Sequence, residues 1–344
     1  MTKLARGMAA AALAVAGIVA GTLPVQAQAQ GAAPVKIVAI SQSNEAGFPL
    51  WLAKKMNYFA GNGLDVTIKY FPNGGAALAS GAAGDWQAGW IGSPPAITGW
   101  AKFGLTPVGT MMKEDRNIKL IMRKDALKGS SPAQVLTTGK IGSVPNSTWS
   151  QVLFACAKHF KVDPQKMKVV PLEPPVTRQS LRSGEVAAGT TDSSPDIDLV
   201  NDKANFEVVC DGAVAGTSVI DPWIVTKKFA AENPAAAAGF VEAAFRASEQ
   251  IMKDREKAVA LLLEFYKDVG IDGDEKKARY TLGYRDYQTL DQALADARGG
   301  ASEKALTETA QVFVAGGAYD KVPDIKGAIA AGLPILEAAK KLRK

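Results

Sequence analysis

Apolar positions change rhythm twice along this 344-residue chain. From Pro34, short β-branched runs alternate with amphipathic stretches. "VKIVAIS" (Val35–Ser41), "LDVTIKYF", "LTPVGTMM" and "IKLIMRK" read as strands, and "WQAGWIGSP" carries a further strand into a loop. Between them, Pro49 to about Phe59, "GGAALASGA" and "PAITGWAKFG" read as helices, with Pro suited to a first turn and Gly to a stop. The middle repeats this grammar. "GKIGSV", "MKVVPL", "VAAGTT" and "FEVVC" are strands; Ser147–Phe160, "PPVTRQSLRSGE" and "SPDIDLVND" are helices. Strands alternating with helices of this length predict parallel βαβ units. After "SVIDPWIVTKKFAAENP" the period becomes helical, with apolar residues recurring at three and four through five stretches to the end.

The first residues follow neither rhythm. "MTKLARGMAAAALAVAGIVAGTLPVQAQAQ" has a basic start, an uncharged apolar run from Met8 to Leu23, and small residues at cleavage spacing. This is a secretory signal peptide, residues 1–29, cut after Ala27 or Ala29. A transmembrane anchor fits less well, because the run is short and rich in Ala and Gly. No Cys follows it, and no second stretch is long enough to insert in a membrane. The expectation is an exported protein in a Gram-negative periplasm.

Composition narrows the chemistry. Hydrophobic content of 47% and charged content of 22% suit a globular core. The length suits two domains or one two-lobed domain. The net charge of +6 includes Lys3 and Arg6, and the other basic residues alternate with acids, so no nucleic-acid surface is expected. A single histidine, His159, lies about three helical turns past Ser147. With no second His there is no Ser-His-Asp or Cys-His arrangement, and no GxSxG, HExxH or phosphate-loop motif appears. An enzyme is therefore not expected, nor a metal site or cofactor. Cys156 and Cys210 either form one disulfide in an oxidising compartment or pack as two buried thiols.

Four stretches in order carry a resemblance: "GAAGDWQAGWIGSPPAI", "GKIGSVPNSTWSQVLFACAKHFKVDPQKMKVVPLEPP", "LRSGEVAAGTTDSSPDI" and "VIDPWIVTKKFAAENPAAAAGFVEA". Together they resemble the periplasmic substrate-binding proteins of ABC importers in the nitrate, taurine and alkanesulfonate group, taurine-binding proteins most closely. The likeness runs from Val35 to about Ile329. It implies an α/β, two-lobed periplasmic-binding-protein (type II) fold with C-terminal helices. Lobe one is then expected at 35–122 plus 216–344 and lobe two at 123–215, with the C-terminal helices on lobe one. It also implies a small anionic or zwitterionic solute, an inner-membrane ABC permease as partner, and a monomer. Nitrate, a pyrimidine or other heterocycle, a sensor-coupled receptor, and an enzyme like those of thiamine-precursor synthesis are the alternatives.

The resemblance also singles out residues. Ser147 and Thr148 stand where the family seats a sulfonate; the plain alternative is a helix cap. Asp221, in "IDPW", stands where the family pairs with an amine; otherwise it is a turn residue before Pro222. Gly92, Ser93 and Pro94 form a strand-end loop that brings backbone close to a ligand or is simply a turn. Trp51, Trp149 and Trp223, with Trp90, lie near expected cleft-facing ends, although each alone reads more readily as packing. Two departures from the taurine pattern concern the pocket. Ser193 replaces an aromatic before Pro195, with Asp192 beside it, and Gln42, Asn44 and Glu45 differ in the first loop. A wetter, more cation-seeking cleft is implied.

Overall fold

The structure, a computed structural model, describes residues 33–81, 84–192 and 197–343. The expected signal peptide and Ser193 lie outside the described residues. In chain order the strands are β1 (Val35–Gln42), β2 (Leu64–Phe71), β3 (Ala88–Trp90), β4 (Leu105–Lys113), β5 (Ile118–Arg123) and β6 (Lys140–Ser143). They continue with β7 (Lys168–Pro171), β8 (Ala188–Asp192), β9 (Phe206–Asp211), β10 (Ile220–Thr226) and β11 (Asp286–Tyr287).

Two mixed sheets result. One has the order β11-β4-β10-β3-β1-β2 and the other β7-β6-β8-β5-β9. The expected parallel βαβ grammar holds for β1–β2, β1–β3, β6–β7 and β6–β8. It fails at β10, which enters antiparallel between β3 and β4, and at β5, antiparallel to β8 and β9. The pattern missed β10: "IDPWIVT" is buried on both faces up to Thr226, so it lacks the alternation of a half-exposed strand.

The strand β5 also corrects the expected boundary. Residues 118–122 belong to the second sheet, where Ile118 lies opposite Asp192. The chain therefore leaves the first sheet between Lys113 and Ile118, and returns between Asp211 and Ile220. The two crossing segments are clamped together. Glu114 N–H donates to the Val219 carbonyl at 2.9 Å, and Val219 N–H to Asp115 Oδ1 at 2.7 Å. Lys119 and Asp211, both buried, form an ion pair of 2.6 Å beside them.

Close strand approach needs Gly89. Its φ is +149°, and a Cβ there would stand 2.3 Å from the Ile40 carbonyl oxygen. Any side chain would push β3 off β1.

The C-terminal helices do not pack on the first lobe alone. Pro234–Lys253 and Ile325–Lys341 cover the first sheet, burying Phe240, Phe245 and Leu336 with Trp223. Ala301–Ala315 lies against Thr148–His159 of the second lobe as well. There Gln151 donates to Thr309 Oγ1 at 2.9 Å and to the Ser218 carbonyl at 3.0 Å. Cys156 and Cys210 form a disulfide with a Cα separation of 6.0 Å, so one of the two open readings is decided.

Candidate functional site

Between the two lobes lies a cleft of about 420 Å³. Its walls follow strand ends. Asn44 and Glu45 come after β1, Pro72 after β2, Trp149 after β6, Glu173 and Arg178 after β7, and Asp192 ends β8. Lys277 reaches it from the helix Glu275–Gly283. This is where open α/β sheets expose backbone and loops to a ligand.

Of the residues singled out from sequence, Asn44, Glu45, Trp149 and Asp192 line this cleft. Asn44 has a second task, because its Oδ1 accepts from Ala46 N–H at 3.1 Å and opens a short helical turn. Gln42 is buried at the end of β1.

Ser147 is a cap. Its hydroxyl donates to the Val144 carbonyl at 2.6 Å and accepts from Ser150 N–H at 3.3 Å. The Ser150 hydroxyl returns the bond, accepting from Ser147 N–H at 3.1 Å. "NSTWS" thus closes a reciprocal capping box, and the Ser147 oxygen has little left for a solute. Thr148 differs. It stands against Gly92, where an added Cβ would meet Thr148 Cγ2 at 2.9 Å, Asp221 Oδ1 at 3.4 Å and Thr148 Oγ1 at 3.7 Å. Gly92, Thr148 and Asp221 therefore come together from three separate segments.

Ser93 joins the lobes, and Pro94 holds the C-terminal segment. Ser93 Oγ donates to Gln151 Oε1 at 3.1 Å, and the Pro94 carbonyl accepts from Tyr319 at 2.8 Å. Trp51, Trp90 and Trp223 are core. Trp51 packs on Phe48 and Phe265 and donates to Asp268 at 3.0 Å. Trp90 donates to Ser41 at 2.9 Å. Trp223 meets Phe240 and Phe245 edge-on. A strand residue can point either way, and Trp90 and Trp223 point into the apolar core of the first lobe.

Asp221 is 1% exposed, and its Oδ2 has no donor to accept from. Burial raises its pKa well above the usual carboxylate range, and the Glu114 carboxyl it faces raises it further; Arg285 acts in the opposite direction. Two facing carboxyls are compatible only when one carries a proton. Arg285 is buried too, with Nε 3.2 Å from Glu114 Oε2. Burial works against its charge, but Glu114, Tyr287, Glu45 and Asp192 together keep its pKa raised. Among the described residues, no three His, Cys, Asp or Glu side chains are grouped to hold a metal.

Sequence reasoning missed Arg178, Lys277, Glu114, Asn117 and Arg285. The first follows the Pro174–Pro175 pair at a strand end, a signal that could have marked it. Lys277 and Arg285 sit in helical sequence with no local sign that it folds back over the cleft.

The comparisons agree with the fold. The chain is 26% identical over 206 residues to the taurine-binding periplasmic protein of Escherichia coli (strain K12). That match covers 58% of this chain and 62% of the relative, so it spans under two thirds of that protein's length. The alkanesulfonate-binding protein SsuA from Xanthomonas axonopodis pv. citri, bound to MOPS, superposes with a TM-score of 0.68 at 17% identity, over 87% of this chain and 98% of that one. The periplasmic nitrate-binding protein NrtA from Synechocystis PCC 6803 also gives 0.68, at 12% identity, over 90% and 89%. The architecture is a periplasmic-binding-protein fold. The NMT1/THI5-like family model matches residues 42–258, and the chain belongs to that family.

Proposed function

We propose that this protein is the solute-binding component of an ABC-type importer, exported to the periplasm, without catalysis of its own. The lobes would close on a small solute, and the closed form would dock on an inner-membrane permease. The observation that carries the reading is the inter-lobe cleft, whose lining draws on both sheets and carries both charge signs. Asp192, Glu45 and Glu173 stand with Arg178, Lys277 and Trp149. The relatives named for taurine, alkanesulfonate and nitrate support the same class.

Within that class a short zwitterion suits the cleft best. Arg178 and Lys277 would take its anionic end, and the carboxylates its ammonium. Charge-assisted hydrogen bonds contribute about 1.5–3 kcal/mol each. A few of them reach the roughly −8 kcal/mol of a micromolar complex. A ligand shifts closure only by its better affinity for the closed state, so contacts to both lobes are required.

The test is calorimetric titration of taurine, ethanesulfonate and ethylamine into the mature, refolded protein. Saturable binding of taurine, with both fragments much weaker, is expected. Binding of none of the three would refute the taurine-like solute.

A further inference from the structure

The lobes meet differently at the two ends of the cleft, and what this means for a solute rests on the receptor function just proposed. At the rim, Asn73 donates to Glu173, and both residues are half-buried. At the floor, Gln151 of the helix Thr148–His159 is fully buried and ties three other segments together. Its Oε1 accepts from Ser93 Oγ of lobe one at 3.1 Å. Its Nε2 donates to the Ser218 carbonyl of the return crossing at 3.0 Å and to Thr309 Oγ1 of the helix Ala301–Ala315 at 2.9 Å. Ser93 and Thr309 are fully buried too.

A second knot lies just past that helix. The Tyr319 hydroxyl donates to the Pro94 carbonyl at 2.8 Å and stands 3.1 Å from Thr98 Oγ1, both in the lobe-one helix Ser93–Lys102. The same hydroxyl is 3.3 Å from Asn146 Oδ1 of lobe two. Asn146 has a φ of +47°, a left-handed conformation that Asn tolerates better than most side chains. The Tyr319 ring stacks on Phe313 at 5.2 Å, and Phe313 meets Phe154 of lobe two edge-on at 5.7 Å. Leu306 and Ala310 share an apolar cluster with Ile97 of lobe one. Residues 301–319 thus hold one helix of each lobe. Opening is cheap at one end and costly at the other. Water replaces the half-exposed Asn73–Glu173 bond when the rim parts. Parting at the floor would strip Gln151, Ser93 and Thr309 of partners in a dry setting, and each unpaired group would bear its desolvation cost.

We propose that residues 301–319 are a strap that fixes the floor of the cleft, with Gln151 and Tyr319 as its positioning residues, so that the lobes open at the rim about this floor. Thr148 and Trp149, just before Gln151 in the same helix, keep their places whether the cleft is open or closed. Glu173 and Arg178 swing against Asn44, Glu45 and Lys277 across the cleft. A solute drives closure only through contacts that differ between the two forms. The rim residues therefore drive closure, and the floor supplies a seat present beforehand.

The experiment measures distances between paired nitroxide labels by double electron–electron resonance, in the mature protein without solute. Lys69→Cys with Val176→Cys reports the rim, and Lys102→Cys with Lys158→Cys reports the floor; all four positions are exposed. The native cysteines are bonded to each other and take no label. A broad rim distribution and a narrow floor distribution are expected. Each pair is then read in Tyr319→Phe, which keeps the ring but removes the hydroxyl, and in Gln151→Met, with circular dichroism to confirm folding. Both variants should lengthen and broaden the floor distribution, raising its displaced fraction about fivefold, the equivalent of about 1 kcal/mol for one net hydrogen bond. A rim no broader than the floor in the unsubstituted background would overturn the inference. So would a floor unmoved in the folded variants, even with a lowered unfolding midpoint, because that would be a structural role alone. Should Gln151→Met fail to fold, the unsubstituted background and Tyr319→Phe decide. No solute enters this measurement, so its failure leaves the receptor reading to the titrations, and failure of the titrations leaves the strap to this one.

Discussion

Asn73 Nδ2 donates to Glu173 Oε1 at 2.7 Å, joining the loop after β2 to the loop after β7. Pro72 and Glu173 both line the cleft, so this bond bridges the two lobes at its rim. A hydrogen bond to a charged acceptor contributes about 1.5–3 kcal/mol. Asn73→Ala should therefore shift the free protein toward the open form and weaken solute binding about tenfold. Small-angle scattering without ligand should report a larger radius of gyration than the wild type. An unchanged radius and affinity would show that the bond does not hold the lobes together.

Ser147 and Thr148 should separate on mutation. Ser147→Ala removes one arm of the capping box and should cost about 1 kcal/mol of stability while leaving solute affinity nearly unchanged. Thr148→Val keeps the shape but deletes the hydroxyl beside Gly92 and Asp221. It should lower affinity with little effect on the unfolding midpoint. Urea titration and calorimetry on the two variants check this, and equal affinity losses would return Ser147 to the solute.

Asp221 makes stability depend on pH. Its carboxyl has a raised pKa in the folded state, chiefly through burial and then through Glu114. The unfolded chain releases that proton at about pH 4. Above that, the folded state binds more protons than the unfolded one, so this group's contribution falls as pH rises toward the folded pKa. Asp221→Asn removes the ionisation. Its melting temperature should exceed that of the wild type at pH 7–8, and the difference should vanish near pH 4. A difference constant across that range would mean Asp221 does not titrate differently on folding.

The Cys156–Cys210 bond closes a loop across a sequence separation of 54 and ties the helix Thr148–His159 to β9. In the chain-entropy model a loop of this size contributes about 4 kcal/mol, by restricting the unfolded state. Reduction should shift the urea midpoint down accordingly, and a Cys156→Ala, Cys210→Ala double variant should behave like the reduced protein. Identical midpoints with and without reductant would contradict it.

Particular residues show where sequence reading succeeded and stopped. Ile37, Ala39 and Ile40 in β1, and the glycine stops after short helices, carry local periodicity, so element type was legible there. Asp192 was legible as a departure from the family pattern. Trp223 was not assignable, because a strand residue reaches either the cleft or the core depending on strand order. Arg285 was invisible, since its partner Glu114 is far away in sequence.

The sequence by itself determined the alternation of strands and helices, the family resemblance and the short list of strand-end loops, because these depend on residues near one another in the chain. Tertiary structure decided which of those residues line the inter-lobe cleft. It spent Ser147 on a cap, Ser93 on an inter-lobe bond and Trp223 on the core, and it gathered Asp192, Asn117, Glu114, Asp221 and Arg285 from four segments. The physical reason is that burial and charge pairing act between groups close in space, whereas periodicity and capping act between groups close in sequence.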